Sequence, residues 1–417
     1  MRFTLLIIII LNSVVGISQT ESDSIVERQV IPSDTDPLIN LWNSDSHYVY
    51  TNPTALPINK LFVFLPGSFA IPQYYKAISK KAANLGYHSI NLRYPNSWSM
   101  LGECGNTTDV NCHYNLRTEV FYGTDTYSGI TVNSVNSIKN RLVKLLLYLD
   151  TNYPTENWGQ YLDITNEPIW NLIAIGGHSQ GGGYGSLVGI DNQLFKILNF
   201  ASNDYSFYYN QPANWYSFPK VTTPDKYFGM VHSQDGLTQY LEMMTALGVD
   251  TSLAINIDTS STPYNNSHIL FTNEVPSSGI AWVDNHNSVV VDFSTPLDVL
   301  GNYIFDEVWQ YLLSNDTVLG LSNFENSNNQ NFDVNVYPNP FSGTTTIDFH
   351  LQQNENVSIK IIDNQGKIIQ TLVANKIFNV GKHSVQWNRY NTINGIFYIQ
   401  ISIAKGFQKS LKVVITE

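Results

Sequence analysis

The stretch Gly177-His178-Ser179-Gln180-Gly181 decides the fold, and it reads Gly-x-Ser-x-Gly. An apolar run at residues 172–175 precedes it, and residues 184–188 are suited to open a helix. A strand, a sharp turn and a helix in this order form a nucleophile elbow, in which tiny residues beside the serine avoid collisions. The pattern predicts that the Ser179 hydroxyl is exposed above the sheet edge as a nucleophile. The alternative is a glycine-rich loop that matches by chance.

Size and charge limit the possible functions. A chain of 417 residues suits one large and one small domain. The net charge of -12 argues against nucleic-acid binding, because a phosphate backbone requires a basic face. The sequence contains no His-x-x-x-His or paired-carboxylate spacing that would indicate a metal site, so we expect no metal and no other cofactor.

The N-terminus has the composition of an export signal. Arg2 supplies a positive charge, residues 5–11 are almost all apolar, and small residues follow. These features predict a signal peptide over residues 1–18. A membrane anchor is the alternative, but the apolar run is short for a bilayer, and we expect no later transmembrane segment.

The chain has two cysteines, Cys104 and Cys112. In an exported protein two cysteines so close in sequence are expected to form a local disulfide. A metal-binding pair is the alternative, but only His113 lies near them as a further ligand.

Strand-like and helix-like segments alternate up to about residue 313. Buried strands are predicted at residues 61–65, 89–92, 172–175, 195–200, 227–231 and 269–271. Helices are predicted at residues 74–85, 138–149 and 299–313. This alternation predicts an α/β fold, with a mostly parallel sheet and helices on both faces.

The composition changes after residue 321. Residues 322–331 are rich in Asn and Ser and predict a linker. Over residues 332–417, short segments alternate apolar and polar side chains, which predicts a small all-β sandwich.

Residues 40–315 resemble the α/β-hydrolase superfamily, and within it a group of exported bacterial and fungal hydrolases. The matching features are Phe64-Leu65-Pro66-Gly67, Tyr94-Pro95-Asn96, Arg117-Thr118-Glu119 after the two cysteines, and the elbow with Gly182 and Gly183. The resemblance implies that the domain over residues 19–321 is a serine hydrolase, most often of carboxylic esters. Arg117 and Glu119 form either a buried ion pair or two solvated surface charges.

In hydrolases of this fold the triad follows the chain order Ser, acid, His. His286 lies in a polar loop between the last strand and the last helix, from which a general base reaches Ser179. His268 begins a predicted strand and is less suited. Asp235 follows the penultimate strand, the usual position of the acid. Asp204, after the preceding strand, is the alternative acid, or it caps a turn.

An oxyanion hole requires two backbone N–H donors. One is the amide of Gln180, and the other is expected from Ser68, in the loop after the strand at 61–65. Gly67 allows close approach of the backbone, although a simple Pro-Gly turn is the alternative. The aromatic segment at residues 205–218 either lines a substrate pocket or packs a cap onto the body.

The C-terminal residues resemble the sorting domain of the type IX secretion system. The features are Val336-Tyr337-Pro338-Asn339-Pro340-Phe341, the alternating segment 346–349 and a final strand at 412–415. The resemblance implies a Gram-negative bacterium of the Bacteroidota type, transport by the type IX machinery, and a protein that is secreted or held at the outer-membrane surface. A carbohydrate-binding sandwich is the alternative.

Three functions remain open on the sequence alone. The first is a secreted serine esterase or lipase-like enzyme that forms an acyl-enzyme on an ester substrate. The second is a serine peptidase or polyester depolymerase, because the same triad attacks esters and amides. The third is a non-catalytic surface binding protein on a hydrolase fold, against which the set of Ser179, Asp235 and His286 argues.

Overall fold

The computed structural model describes residues 24–277, 283–314, 334–351, 353–363, 368–389, 394–403 and 408–416. The predicted signal peptide and linker lie outside these residues. The chain divides into two compact units between residues 315 and 316.

One large mixed sheet organises the described part of the first unit. Its strands and a separate hairpin are, in chain order, β1 (Val26–Val30), β2 (His47–Thr51), β3 (Leu61–Leu65), β4 (His88–Asn91), β5 (Ile173–His178), β6 (Lys196–Phe200), β7 (Tyr205–Ser206), β8 (Gln211–Pro212), β9 (Tyr227–His232), β10 (Ile255–Asn256) and β11 (Ile269–Thr272). The sheet has the order β1-β2-β4-β3-β5-β6-β9-β11-β10, and β7 pairs with β8 outside it. Within this sheet β4, β3, β5, β6, β9, β11 and β10 run parallel to one another. Strand β2 is antiparallel to both of its neighbours, β1 and β4.

Helices cover this sheet. They are α1 (Pro32–Thr35), α2 (Lys76–Asn84), α3 (Met100–Cys104), α4 (Cys112–Tyr122), α5 (Ile138–Asn152), α6 (Gly183–Asp191), α7 (Leu237–Ala246), α8 (Asp284–Ser288) and α9 (Asp306–Leu313). Among the described residues, none of the helices combines the length and the apolar character that a bilayer crossing requires.

Both faces of the sheet are buried, which explains the unbroken apolar runs of its central strands. In β3, Leu61, Val63 and Leu65 pack into one apolar cluster with α4, α5 and α6. The alternate residues Phe62 and Phe64 pack into a second cluster with α2 and α9. A strand covered by helices on two sides has no polar face, as the sequence pattern predicts.

The helix predicted at 299–313 is wrong over its first half, because α9 begins only at Asp306. The carboxylate of Asp298 accepts hydrogen bonds from the backbone N–H groups of Leu300 and Asn302. Such a turn competes with a helix for the same backbone groups. Gly301, at φ 87°, completes the turn in a conformation that glycine adopts without strain.

The second unit is antiparallel β structure. Its described strands are β12 (Val334–Tyr337), β13 (Thr344–Leu351), β14 (Glu355–Asp363), β15 (Ile368–Phe378), β16 (Gly381–Asn388), β17 (Gly395–Ile403) and β18 (Gln408–Ile415). They form one sheet in the order β12-β13-β16 and another in the order β15-β14-β17-β18. Alternate residues, such as Ile347 and Phe349 of β13 and Ile359 and Ile361 of β14, fill one core. A mixed α/β unit followed by antiparallel sheets is therefore confirmed.

Candidate active site

Ser179 stands at the carboxyl end of the central strand β5, where the chain turns sharply toward α6. Its φ of 52° is left-handed, a strained conformation for a residue with a side chain. A Cβ at Gly177 would overlap the backbone of Gly181, and a Cβ at Gly181 would overlap the carbonyl oxygen of Leu65. Only glycine fits at these two positions, which explains the Gly-x-Ser-x-Gly pattern physically.

Asp235 and His286 lie in direct contact. Nδ1 of His286 is 2.8 Å from Oδ2 of Asp235, and both side chains are about three-quarters buried, with 28% and 24% exposure. Asp235 follows β9, whereas His286 lies in the short helix α8 rather than in the predicted loop. In a neutral ring this contact places the proton on Nδ1, which donates to Asp235. The other ring nitrogen, Nε2, is then able to accept a proton.

The turn that carries Asp235 is held by His232, the last residue of β9. Its Nδ1 accepts the backbone N–H of Gln234 at 3.0 Å, and its carbonyl oxygen accepts the N–H of Asp235 at 2.9 Å. Nε2 donates to the carbonyl oxygen of Glu274 at 3.2 Å. Burial lowers the pKa of His232, which keeps the ring neutral, as this arrangement of one donor and one acceptor requires.

Asp204 belongs to a different interaction. Its two carboxylate oxygens accept hydrogen bonds from Nε and Nη2 of Arg117, at 2.5 and 2.7 Å respectively. Both side chains are fully buried. Burial raises the pKa of Asp204, but the Arg117 guanidinium outweighs this effect, so the pKa lies below its usual range. Both alternatives for Arg117 and Glu119 are therefore wrong. The two side chains are buried, so they are not solvated surface charges, and Glu119 accepts backbone N–H groups, including that of Val132 at 3.0 Å, while Arg117 pairs with Asp204.

Arg117 also reaches the elbow itself. Its Nη1 donates to the carbonyl oxygen of Gln180 at 2.8 Å. The Trp215 indole donates to the Asp204 carboxylate at 3.2 Å, and the Tyr216 hydroxyl accepts the Asp204 N–H at 3.1 Å. The buried ion pair thus fixes the residue after Ser179 from behind.

The loop after β3 faces the elbow. The N–H of Gly67 donates to the Tyr75 hydroxyl at 3.1 Å. The N–H of Phe69 donates to the carbonyl oxygen of Asn96 at 2.8 Å. Ser68 lies between them, and its hydroxyl is 2.8 Å from the side-chain amide of Gln180. The two residues predicted to supply oxyanion donors, Ser68 and Gln180, therefore touch each other.

A buried chain of hydrogen bonds links this loop to His286. The ring of His178 donates from Nε2 to the carbonyl oxygen of His286 at 2.9 Å. Its Nδ1 accepts from the Tyr75 hydroxyl at 3.0 Å, and that hydroxyl accepts the N–H of Gly67. Burial and the nearby His286 lower the pKa of His178 well below its usual range, so it stays neutral as this chain requires.

Ser68, Ser179, Gln180, Asp235 and His286 line one cavity of about 600 Å³. It lies at the carboxyl ends of the parallel strands, where open α/β sheets bind ligands. In the described part of the chain, His, Cys, Asp and Glu side chains form no group of three that could hold a metal ion.

In the aromatic segment at residues 205–218, one side chain lines the cavity and others pack the segment onto the body of the unit. Trp215 and Tyr216 are buried and pack against Asp204, so they hold the segment on the body. Phe207 lines the cavity, whereas Tyr208 and Tyr209 are exposed outside its lining. Cys104 and Cys112 form a disulfide, with Cα atoms 5.6 Å apart.

Sequence reasoning missed the positioning residues Tyr75, His178 and His232. His178 is part of the elbow motif, but its partners Tyr75 and His286 lie 103 and 108 residues away in the chain. No local pattern indicates such contacts, because they depend on how distant loops meet at the sheet edge.

Comparisons with known proteins identify the second unit. Residues 335–416 match the family model of the secretion system C-terminal sorting domain. No curated protein matches the chain. Among solved structures, dimeric latent PorU from Porphyromonas gingivalis is similar with 19% identity and a TM-score of 0.17, over 20% of this chain and 9% of that one.

A bacterial heroin esterase is similar with 12% identity and a TM-score of 0.28, over 61% of this chain and 77% of that one. Neither likeness, at such TM-scores, carries weight for the fold or the activity. The family match does: residues 335–416 form a type IX secretion C-terminal sorting domain, and the protein is exported to the cell surface or secreted.

Proposed function

We propose that the domain expected over residues 19–321, which contains the whole candidate site, is a serine hydrolase of carboxylic esters. The observation that carries the proposal is the 2.8 Å contact between His286 and Asp235 in the cavity that also holds the strained Ser179. A nucleophile, a base and an acid that orients the base are the parts that acyl transfer requires.

The reaction follows from these residues. Nε2 of His286 removes the proton of the Ser179 hydroxyl as its oxygen attacks the ester carbonyl. Asp235 stabilises the imidazolium that forms. The amides of Ser68 and Gln180 donate to the oxyanion, which contributes about 10²–10³ in rate for each donor. His286 then protonates the leaving alcohol, and water attacks the acyl-enzyme by the same path.

The buried groups behind the cavity support this reaction. The Arg117 side chain, paired with Asp204, holds the carbonyl oxygen of Gln180, the residue whose N–H is the predicted oxyanion donor. The chain from Gly67 through Tyr75 and His178 to His286 links an oxyanion donor loop to the general base. Rigid placement of this kind is what lowers the barrier in a preorganised site.

Labelling with a fluorophosphonate probe tests the proposal. The probe reacts covalently with an activated serine, so the parent protein is expected to be labelled and the Ser179→Ala variant not. Turnover of 4-nitrophenyl acetate is expected to be lost in the same variant. A folded parent that neither labels nor hydrolyses any ester would contradict the proposal and favour a binding protein on a hydrolase fold.

A further inference from the structure

The cavity that holds Ser179 has an apolar rim. Four large apolar side chains line it and remain substantially exposed: Phe69 (67%), Leu101 (54%), Phe207 (49%) and Phe293 (51%). Single exposed apolar side chains are common on protein surfaces, but a group around one concave site indicates a binding surface. We infer that the rim binds a large, uncharged, apolar substituent of the ester substrate, an inference that rests on the proposed function.

The charges of the cavity agree with this substrate class. None of the described lining residues is Lys or Arg. The carboxylates of Asp204 and Asp235, which line it, already bind Arg117 and His286. A carboxylate or sulfate on the substrate would therefore lose its hydration without gaining a cation, which is costly. An apolar group loses only unfavourable contact with water.

One wall of the rim joins two segments that are far apart in the chain. Helix α3 supplies Leu101, and the turn between β7 and β8 supplies Phe207. The Phe207 N–H donates to the carbonyl oxygen of Gly105, directly after α3, at 2.8 Å. The Tyr209 hydroxyl donates to the carbonyl oxygen of Thr108, also at 2.8 Å. These bonds hold the hairpin against the loop that follows Leu101.

The disulfide closes the loop on which this wall rests. Cys104 is the last residue of α3 and Cys112 the first of α4. Gly105 and Thr108, the two acceptors of the hairpin bonds, lie between them. Because the crosslink restricts this loop, we assign to it the placing of the apolar wall. Its reduction is expected to weaken selection for apolar substituents more than turnover of a small ester.

The size of the cavity sets the expected selectivity. A volume of about 600 Å³ lies in the range of sites that enclose a drug-sized ligand. An acetyl ester would leave most of it empty. Each further methylene buried against the rim is expected to raise kcat/KM by about fourfold until the space is filled.

The first test measures kcat/KM along two series of esters. One lengthens the acyl chain of 4-nitrophenyl esters from acetate to octanoate, and the other compares phenyl acetate with 1-naphthyl acetate, whose leaving groups have similar acidity. At least one series is expected to rise tenfold or more in the parent. Phe207→Ser should reduce the rise of kcat/KM along that series at least fivefold, because it removes one apolar side chain of the rim.

Tyr208→Ser is the matched control, since Tyr208 is an exposed aromatic residue of the same hairpin outside the cavity lining. It should behave as the parent. The C104S/C112S double variant should flatten the series in the same direction as Phe207→Ser. Flat series in the parent, or equal effects of Phe207→Ser and Tyr208→Ser, would overturn the inference.

A second test separates this inference from the proposed function. Ser179→Ala is mixed with intact esters, and binding of 1-naphthyl acetate and ethyl octanoate is compared with that of ethyl acetate. Tighter binding of the apolar esters, by tenfold or more, is expected even if the parent shows no turnover. Equal affinities would contradict the apolar rim, whereas absent labelling of the parent by the fluorophosphonate would contradict only the hydrolase proposal.

Discussion

The two units of this chain bury different kinds of side chain. Of the described residues, Thr345 and Glu355 are the buried polar or charged side chains in the second unit, and the first unit holds all the others. Several of these belong to the elbow or contact it, such as His178 within the motif and Arg117, which donates to the carbonyl oxygen of Gln180. Because buried polar groups cost free energy unless they are paired, those that surround the elbow agree with a functional site there. In the second unit an apolar core suffices.

The largest effect is expected on catalysis from Asp235→Asn. This change leaves a ring partner for His286 but favours the wrong tautomer and removes the charge that stabilises the imidazolium. We expect kcat for 4-nitrophenyl acetate to fall about 10⁴-fold. Because Asp235 is partly exposed, the midpoint of urea unfolding should change little. A loss of less than tenfold in kcat would remove Asp235 from the triad.

Asp204→Asn is the matched change in the second carboxylate of the cavity lining, and we expect it to act on stability. It leaves the Arg117 guanidinium buried without a counterion, which costs about 3–5 kcal/mol in the free energy of unfolding. Urea unfolding followed by tryptophan fluorescence measures this loss. If Asp204→Asn leaves stability unchanged and abolishes turnover, Asp204 and not Asp235 is the catalytic acid.

Acid is expected to destabilise the first unit. Burial lowers the pKa of five of its histidines: His47, His88 (to about 4), His113, His178 and His232. Below about pH 6.5 the unfolded chain binds protons at these rings and the folded chain does not, so stability is present above this pH and is lost as pH falls.

Asp292 opposes this trend, because burial raises its pKa to about 7 and the folded chain therefore binds its proton first. One aspartate against five histidines leaves a net loss of stability toward acid. We expect Tm in calorimetry to fall by several degrees from about pH 7 to about pH 5. A Tm that stays constant or rises over this range would contradict neutral burial of the histidines.

Tyr75→Phe is expected to separate positioning from packing. It removes the hydroxyl that links Gly67 to His178, so the oxyanion loop and His286 lose a shared constraint. We expect kcat to fall roughly tenfold with a smaller change in KM. Tyr161→Phe is the matched control, since the Tyr161 hydroxyl bonds Nδ1 of His88 at the same 3.0 Å, away from the cavity lining.

Both tyrosine variants should lose about 1 kcal/mol of stability, because each leaves a buried ring nitrogen without its partner. Only Tyr75→Phe should lower kcat. If the two changes lower kcat equally, the hydrogen bonds of Tyr75 to Gly67 and His178 have no specific role in catalysis.

The smallest catalytic effect is expected from removal of the second unit. A chain that ends at residue 321 should keep kcat/KM within about twofold, because every residue of the candidate site lies in the first unit. Cell fractionation should show that the truncated protein no longer reaches the cell surface or the medium. Loss of activity in a folded truncated form would contradict this division of tasks.

Local patterns in the sequence predicted many elements of the fold, but they did not indicate contacts between segments that are far apart in the chain. Strand β3 and the elbow follow from apolar runs and glycines that physical exclusion requires. The helix at 299–313 is wrong at its start because Asp298 forms a turn. The ion pair of Asp204 and Arg117 could not be predicted from the sequence. Its two residues are 87 positions apart, and no local pattern indicates that they meet. The assignment of Ser179, Asp235 and His286 stays a prediction.

Detection of an acyl-enzyme on Ser179 tests the central proposal most directly. The parent is mixed rapidly with excess 4-nitrophenyl ester, quenched in acid and digested. The mass of the peptide that contains Ser179 is then measured by mass spectrometry. We predict a burst of 4-nitrophenol and a mass increase of one acyl group on that serine. Steady turnover with no acyl group on Ser179, or an acyl group on another residue, would contradict the proposed mechanism.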